Sequence, residues 1–523
     1  MEPKMKNKLN VEIPGNLEGL GKLLPYKGAF ERIRNLSAED LRTVPVKVRA
    51  VMPGTSKLTD SIEKAVERSG LKNGGTISFH HHIRNGDFLL MKVMPILEKM
   101  GFRDLVLFPS SLANPHQGVW EYVKKGVVKQ IHTSGLRGDL GKFVSRGGME
   151  IPVVVRSHGG RARAIKTGQN RIDVAFIGAP ACDREGNING ITGPSACGSL
   201  GYAMVDAMYA DFVIAVTDNL VDFPLSPVSI PQYQVDTVTL IDKLGNPDKI
   251  GSGSTRLSTN PIDHLIAENA ARLILNSEYF KEGMSFQAGA GGASLAVAKY
   301  LSDHMTEKKI TGGFTIGGIS SYMVELLKRG IFKRMYDVQS FDKGVVNSFH
   351  ENSEHVEINA DFYANPFNSG AVINNLDVVV LAAYEIDTDF NVNVLVDSHG
   401  YAQGASGGHS DTAACAKLTI VVAPTYRARL PMIVERVSTV ITPGETVDAF
   451  VSERGIAINP ANKVLADSLK NSKLPLIDIR DMKKETEKIT GKPDPLEFTD
   501  KICGLIEYRD GTIIDTIKQI VEK

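Results

Sequence analysis

A glutamate at the end of an apolar run and a glycine-rich turn shortly after it are the residues best suited to chemistry. Glu385 follows the run LDVVVLAAY, and residues 404–411 read GASGGHSD. In parallel α/β sheets, ligands bind at the carboxyl ends of strands, where a carboxylate can act as a nucleophile or a base. The same glutamate could also be a solvated side chain at a strand end, or the partner of a nearby cation.

The turn at 404–411 almost lacks side chains and precedes a predicted helix, TAACAK. Such a turn can direct several backbone N–H groups at one oxygen atom, as an anion site or an oxyanion hole. A second glycine loop, QAGAGGASLAVAKYL at 287–301, precedes a helix with an apolar face. It matches neither the P-loop pattern nor a clean GxGxxG after a strand. Close packing of a strand against a helix would also explain the glycines of either loop.

Two stretches in the first half carry clustered histidines and arginines, FHHHIRNGD at 79–87 and SHGGRAR at 157–163. On a strand only alternate side chains converge, and no Cys, His or carboxylate spacing completes a metal site, so we predict none. Because arginine binds a carboxylate through two hydrogen bonds, either stretch could hold a polyanionic substrate, or could instead make contacts between domains. The candidates for a substrate carboxylate are His80, His82, Arg84, His158 and Arg161.

The composition is that of a globular protein without charge bias. Of the 523 residues 42% are apolar, and 60 Lys and Arg balance 60 Asp and Glu. This balance gives no electrostatic case for nucleic acid or an anionic membrane as partner. The N-terminal residues lack the apolar region of a signal peptide, no apolar run approaches the ~20 residues that span a bilayer, and no CxxC pair occurs. We therefore expect a cytoplasmic protein with reduced thiols.

Helix-like and strand-like segments alternate along most of the chain. Examples are the helix pattern DSIEKAVERSG, with Thr59 as N-cap and Gly70 as stop, the strand GTISFHH and the helix FLLMKVMPILEKMG. Short apolar runs between amphipathic helices favour parallel sheets covered by helices. The predicted fold class is α/β, with mainly parallel sheets flanked by helices.

An internal repeat divides this chain into two similar halves. Residues 172–189, IDVAFIGAPACDREGNIN, align without a gap with residues 376–393, LDVVVLAAYEIDTDFNVN. With a three-residue adjustment, the serine and glycine at 199 and 201 fall on those at 406 and 408. A repeat of this length is a duplicated domain and not a solenoid unit. We predict an N-terminal arm at 1–55, a first domain at 56–270 and a second domain at 271–523.

The halves differ where chemistry is expected. Ala181 stands where the second half has Glu385, and the first half has SACGSLG where the second has the barer GASGGHS. A shared residue is explained by the fold, whereas a difference can reflect function. The carboxylate and the bare loop occur together only in the second half, which we therefore predict to be the catalytic one.

These motifs resemble the CoA-transferase superfamily, whose members have two tandem domains of a topology shared with sugar-phosphate isomerases. The motifs are EID.DFNVNVL, GASGGHSDTA and the upstream GAGGAS loop. The stretches TISFHHHIRNGD, TSGLRG, SHGGRA, RIDVAFIGAP, SFDKGVV, ITPGETVD and PLEFTDKICG are similar to the citrate lyase alpha-subunit branch. The likeness begins near residue 57 and implies an α/β fold of two tandem CoA-transferase-type domains.

The resemblance implies a citrate CoA-transferase. In that family the alpha subunit exchanges acetate for citrate on a thiol, which a gamma (acyl-carrier) subunit carries on a CoA-derived prosthetic group. A beta (lyase) subunit then cleaves the citryl thioester to oxaloacetate. Free acetyl-CoA is an expected alternative donor. The resemblance thus implies both subunits as partners, contacts between copies of this chain, and no cofactor bound covalently to the chain itself.

The family's chemistry also implies roles for the residues named above. Glu385 would attack the thioester, or would position citrate or a proton, because the matching glutamate carries CoA covalently in the wider superfamily, whereas the citrate lyase branch transfers within a ternary complex. Backbone N–H groups of Gly407 and Gly408 would stabilise the oxyanion, and a Cβ would block the thioester's approach to the turn. The expected CoA- and thioester-binding residues are Gly289, Gly291, Gly292, Gly404 and Ser406.

Three alternatives to this function stay open. Citramalate could displace acetate in place of citrate. Water could resolve the acyl group, which would make the chain an acyl-CoA hydrolase. The chain could also be a scaffold that only docks the carrier.

Overall fold

The structure is a computed structural model that describes residues 4–49, 52–251, 257–289 and 291–522. Two large, mainly parallel β-sheets with helices packed against them form its framework, which confirms the predicted fold class. Central strands such as Val174–Ala179 are apolar and wholly buried, and strands of this kind need helices on both faces. Among the described residues, no helix combines the length and the apolar character needed to cross a bilayer.

The first sheet combines strands of the first half with two strands from near the C-terminus. Neighbouring strands are parallel except for the C-terminal pair. In spatial order the strands are Ile513–Ile520, Phe498–Glu507, Val153–Arg156, Val128–Thr133, Leu105–Leu107, Thr76–Ser78, Val174–Ala179, Phe212–Thr217, Thr237–Leu240 and Leu58–Thr59.

The second sheet consists of second-half strands alone. Its neighbours are also parallel, except for the last pair. In spatial order the strands are His355–Glu357, Phe332–Ser340, Gly312–Ile319, Phe286–Ala288, Val378–Ala382, Leu418–Val422, Ala449–Ser452 and Gly455–Ile458.

Helices connect the strands and cover the sheets. In the helix Ile62–Ser69 the side chain of Ser61 accepts a hydrogen bond from the Lys64 N–H, and Gly70 ends the helix at φ 66°. Thr59, the predicted N-cap, lies in a strand instead. The helices are Glu31–Arg34, Ile62–Ser69, Leu89–Lys99, Val119–Lys124, Gly138–Ser145, His158–Lys166, Gly201–Tyr209, Pro261–Leu275, Gly292–Lys308, Ser321–Lys328, Lys343–Glu351, Ala360–Ala364, His409–Cys415, Lys463–Leu469 and Ile479–Thr490.

A small sheet in each half reproduces the internal repeat. In the first half Ala181 pairs with Asn189, and in the second half Glu385 pairs with Asn393. In both cases the central strand also pairs in parallel with a third strand. These are the positions that the gap-free alignment matches, so the duplication is visible in strand register as well as in sequence.

The N-terminal and C-terminal segments meet at one edge of the first sheet. The strand Phe498–Glu507 pairs in parallel with Val153–Arg156, so residues predicted for the second domain complete the first sheet. The segment predicted as an extended arm packs there as well. The side-chain amide of Asn7 donates to the main-chain oxygen of Ile513 (3.1 Å). The N–H of Ile513 in turn donates to the main-chain oxygen of Leu24 (2.7 Å). At this edge, therefore, one sheet contains strands from both sides of the domain boundary predicted near residue 270. The domain boundaries themselves stay a prediction.

Candidate functional site

A cavity of about 460 Å³ lies where the two glycine loops of the second half meet loops of the first half. Its lining includes Gly289 and Gly291 from one loop and Ser406, Gly407 and Gly408 from the other. The first loop directly follows a strand of the second sheet, at the end where parallel sheets bind ligands. The structure thus brings together the two loops that the sequence singled out.

Hydrogen bonds to the first half hold the turn at 404–408 in place. The Ser406 N–H donates to the main-chain oxygen of Ser134 (2.7 Å), and the His158 N–H donates to that of Gly407 (2.8 Å). Gly407 has φ +53°, a conformation that favours glycine. Within the described part of the chain, the N–H groups of Gly407 and Gly408 have no acceptor. Two unpartnered amides at a cavity wall form the arrangement that an oxyanion site requires.

The first half contains an internal comparison for this turn. By the repeat alignment Leu200 matches Gly407, and its N–H donates to the buried carboxyl group of Glu357 at 2.7 Å. The hydroxyl of Ser229 donates to the other oxygen of that group (2.6 Å), and burial raises the pKa of Glu357 to about 7. In the first half, therefore, a carboxyl oxygen of Glu357 accepts from the N–H that corresponds by sequence to the unpartnered N–H of Gly407. The two residues differ in conformation, with φ −101° at Leu200 and +53° at Gly407, so the comparison shows a turn amide that binds a carboxyl oxygen in the first half alone.

The glycines of the turn differ in what they allow. An added Cβ at Gly404 would lie 2.0 Å from a main-chain oxygen, and one at Gly408 would lie 2.7 Å from the hydroxyl of Tyr363. Gly404 therefore allows close packing and is not among the lining residues of this cavity, so its role as a thioester contact stays a prediction. At Gly407 the nearest atom to a Cβ is Nε2 of His158 at 3.7 Å, so there is space beside it.

The loop at 289–292 lies only partly at the cavity. Gly289 and Gly291 line it, and among the described atoms an added Cβ at Gly291 would have none nearer than 3.7 Å. Gly292 begins the helix Gly292–Lys308 and is not among the lining residues; its Cβ would lie 3.1 Å from the side chain of Ser258. Packing against the neighbouring segment explains this third glycine, in contrast to the predicted ligand contact.

Glu385 does not line the cavity, in contrast to the sequence interpretation. Its Oε2 accepts hydrogen bonds from Nδ2 of Asn393 (2.9 Å) and from the N–H of Ser438 (3.0 Å), and the Ser438 hydroxyl donates to Oε1 (3.3 Å). The preceding residue, Tyr384, does line the cavity. Successive side chains of an extended segment point to opposite sides, which explains the difference. The described lining of this cavity thus includes the glycine turn and not this carboxylate, and a catalytic role of Glu385 stays a prediction.

The buried carboxylate of Asp206 binds two of the predicted substrate ligands. Two guanidinium nitrogens of Arg161 donate to its two oxygens (2.7 and 2.8 Å), and Nε2 of His80 lies 2.9 Å from Oδ2. Although burial opposes ionisation, these partners hold the pKa of Asp206 below its usual value. Neither side chain lines this cavity, and both are used inside the protein by Asp206, so the structure does not place them where a substrate carboxylate would be held.

His82 and Arg84 also lie away from the cavity lining. The strand predicted to carry the histidines ends at Ser78, so their side chains do not alternate on a sheet. Nε2 of His82 lies 2.8 Å from the main-chain oxygen of Gly178, and burial lowers the pKa of this histidine to about 4. The guanidinium of Arg84 lies 4.6 Å from the ring centre of Phe341, which itself lines the cavity. Arg84 is therefore placed behind the cavity wall.

Five residues were candidates for binding a substrate carboxylate, and of these the described lining of the cavity includes His158 alone. Burial, and then the neighbouring Arg161, lower its pKa to about 3, so the imidazole is neutral at physiological pH. Its ring packs against that of Tyr202 with centres 4.4 Å apart, and its Nδ1 has no hydrogen-bond partner within the described residues. His158 can offer a hydrogen bond to a ligand but no positive charge.

Sequence reasoning missed the charged and amide side chains of the cavity. Arg137 reaches it from the first half and Arg427 from a hairpin of the second half, while Gln287 and Gln339 lie on strands of the second sheet. Among the described lining residues there is no aspartate or glutamate. Arg137 falls in the stretch TSGLRG and Gln287 in the second glycine loop, but neither side chain was named there as a candidate, and Arg427 and Gln339 fall in no motif that the sequence singled out. The cavity can bind anions but offers no carboxylate nucleophile from the described lining.

Comparison with known proteins matches this chain to one family. The family model for the alpha subunit of citrate lyase matches residues 55–520. A citrate lyase alpha chain from Klebsiella pneumoniae is 51% identical over 464 residues, which cover 89% of this chain and 91% of the relative. One from Haemophilus influenzae is 49% identical over 464 residues, which cover 89% and 93%.

Solved structures agree with these relatives. A Streptococcus mutans protein assigned as the alpha subunit of citrate lyase, and solved in complex with citrate, shares 46% identity at a TM-score of 0.93 over 99% of this chain and 100% of that one. A malonate decarboxylase alpha subunit from Acinetobacter baumannii shares 14% identity at a TM-score of 0.62, over 84% and 86% of the chains. At that identity the likeness is one of fold alone.

Proposed function

The chain belongs to the citrate lyase alpha-subunit family, which forms one part of an enzyme complex, and we propose that it catalyses the exchange of acetate for citrate on a thiol carrier. The observation that supports this most is the composition of the cavity. It combines two unpartnered backbone amides with two arginines, and its described lining holds no carboxylate. Such a cavity suits an acyl thioester and a polycarboxylate that react directly with each other.

The two arginines are the proposed anchors for citrate. Arg137 lines the cavity and donates one hydrogen bond to the main-chain oxygen of Gln403 (3.2 Å), and its remaining donors have no acceptor among the described residues. Arg427 is exposed and approaches from the other half. Guanidinium groups bind carboxylates through paired hydrogen bonds, so a substrate with several carboxylates can be held from both sides. The complex of the Streptococcus mutans relative with citrate supports citrate as that substrate.

The proposed exchange requires no carboxylate of the protein. A carboxylate oxygen of citrate attacks the thioester carbonyl carbon, and the resulting oxyanion is bound by the amides of Gly407 and Gly408. The C–S bond then breaks, which leaves a mixed acetyl–citryl anhydride and a thiolate. The thiolate attacks the citryl carbonyl of the anhydride, and acetate leaves. One thioester is consumed and one formed with no redox change, and each oxyanion donor is worth about 3–4 kcal/mol.

The carrier of the thioester is proposed from the family alone. We propose that an acyl-carrier partner presents the thiol on a CoA-derived arm, and that free acetyl-CoA can replace it. A lyase partner would then consume the citryl thioester. In this scheme the prosthetic group belongs to the carrier and acts on this chain as substrate.

The experiment is to mix the purified full-length chain with acetyl-CoA that is radiolabelled in the acetyl group. Citrate, citramalate, another tricarboxylate or no acid is then added, and acetate and acyl-CoA products are separated by chromatography. We expect acetate release that depends on citrate and equals the citryl-CoA formed. Acetate release with free CoA and no acid would indicate a hydrolase, faster exchange with citramalate would change the substrate, and no exchange with any acid would refute the proposal.

Direct exchange and a covalent enzyme intermediate are separated by trapping. Borohydride or hydroxylamine added with acetyl-CoA inactivates an enzyme that carries a glutamyl thioester. We expect no inactivation, since no described lining residue is a carboxylate. Loss of activity that requires acetyl-CoA would show covalent transfer and would overturn this part of the scheme.

A further inference from the structure

We propose that the hydroxyl group of Tyr363 is a third donor of the oxyanion site, so that it contacts the thioester oxygen together with the amides of Gly407 and Gly408. This inference rests on the proposed transfer reaction and names a further catalytic residue for it. Tyr363 lies in the short helix Ala360–Ala364, is 2% exposed and lines the cavity.

The position of the hydroxyl follows from the glycine beside it. A Cβ built on Gly408 would lie 2.7 Å from the Tyr363 oxygen, closer than such contacts occur. The hydroxyl therefore occupies the space that a side chain at 408 would need, at a residue whose N–H has no acceptor among the described residues. Glycine at this position leaves room for the phenol at the cavity wall.

The hydrogen bonds of the phenol leave its proton available. Nε2 of Gln287 donates to the Tyr363 oxygen at 3.3 Å, and within the described residues the hydroxyl proton has no acceptor. A hydroxyl that accepts a hydrogen bond becomes a stronger donor. Nearly all buried donors are paired in folded proteins, so the unpaired proton of this buried hydroxyl, at the wall of the cavity that Gly407 and Gly408 also line, suits an acceptor supplied by a ligand.

The phenol stays protonated in this environment. Burial, and then the nearby carboxylate of Asp411, raise the pKa of Tyr363 above its usual value. The hydroxyl can therefore donate to an oxyanion throughout the physiological range, and it is not suited to act as a base.

Gln287 is the positioning residue for this donor. An added Cβ at Gly317, whose φ is +107°, would lie 2.9 Å from Cδ of Gln287, so the neighbouring strand leaves space for the amide in this orientation. The Oε1 of the same amide is buried and has no partner among the described atoms. The hydrogen bond from Nε2 to the phenol is therefore the contact through which Gln287 positions the hydroxyl.

The test is Tyr363→Phe, which removes a single oxygen from a packed ring. We expect kcat for acetyl-CoA:citrate exchange to fall on the order of 100-fold, with KM for both substrates changed by less than about threefold, because the donor acts on the oxyanion and not on the ground state. Tyr322→Phe is the matched control, since that phenol bonds to Ser302 (3.3 Å) and is not among the cavity's lining residues. It should leave the rate unchanged.

A spectroscopic readout separates this role from a structural one. The infrared carbonyl stretch of bound acetyl-CoA should lie below that of free acetyl-CoA in the wild type and should shift back toward the free value in Tyr363→Phe. Gln287→Leu should lower kcat by about tenfold and shift the band partway, and it decides the matter if Tyr363→Phe does not fold.

The two proposals fail in different ways. A wild-type chain without citrate-dependent exchange would refute the transferase itself and the donor role with it. A wild-type chain that exchanges, with folded variants of Tyr363 and Gln287 that keep its kcat and its carbonyl frequency, would refute the donor role alone.

Discussion

Replacing Glu385 with glutamine tests whether this carboxylate takes part in transfer. It accepts three hydrogen bonds, from Asn393 and from the main chain and side chain of Ser438. Glutamine keeps the shape and one oxygen but carries no charge, so the two bonds at Oε2 become bonds to a neutral oxygen and the Ser438 hydroxyl must turn to accept from the NH₂ group. Since a hydrogen bond to a charged group is worth about 1.5–3 kcal/mol, we expect the free energy of unfolding to fall by about that amount.

The rate should respond much less than the stability. Because Glu385 does not line the cavity, we expect kcat of the glutamine variant to stay within about tenfold of wild type, whereas loss of a covalent nucleophile lowers kcat on the order of 10⁴-fold or more. Acetate release gives kcat, and urea denaturation gives the unfolding free energy. Glu435→Gln, at a carboxylate 82% exposed, is the control. A thousandfold loss of kcat at unchanged stability would refute our placement of the chemistry.

Three further predictions concern packing and buried charge. Gly404→Ala would put a Cβ 2.0 Å from a main-chain oxygen and should yield little folded protein. Gly291→Ala, where the nearest described atom lies 3.7 Å away, should melt near the wild type in circular dichroism, and equal melting of the two variants would contradict the packing role. Asp206→Asn leaves a buried guanidinium without its charged partner and should cost about 3–5 kcal/mol in urea titrations; a loss below about 1 kcal/mol would show that the pair is not needed. Burial opposes ionisation of Glu507, but two buried arginines lower its pKa to about 2. The ionised group therefore stabilises the fold by about 3 kcal/mol at any pH above the usual glutamate pKa. This contribution is lost as the pH falls toward 2. The stability difference between wild type and Glu507→Gln should shrink over that range, and a constant difference would contradict the linkage.

The framework could be predicted from the sequence because buried parallel strands leave long apolar runs and a duplication leaves two copies of them. The alignment placed Ala181 opposite Glu385, and both residues pair with an asparagine in the same strand register. The C-terminal pair of strands escaped prediction, since no local pattern tells a strand which sheet it will join. The partner strand, Val153–Arg156, lies more than three hundred residues earlier in the chain.

The site could be predicted only in part, for a similar reason. Glycine turns are local, so both loops were found and share the cavity. A cluster of cationic residues does not show which cations are already paired, and the aspartate that binds His80 and Arg161 sits in a helix without any motif. Tyr363 and Arg427 gave no signal either, because their importance comes from contacts that only the folded chain makes.

The pairing of Phe498–Glu507 with Val153–Arg156 has a consequence for how the protein is made. The first sheet stays incomplete until the ribosome has produced the residues after 497. During that interval the strand at 153–156 is an open edge with unpaired main-chain groups, of the kind that recruits other chains and favours aggregation. An expression fragment that stops before residue 498 would contain every residue of the cavity and would still keep this adhesive edge.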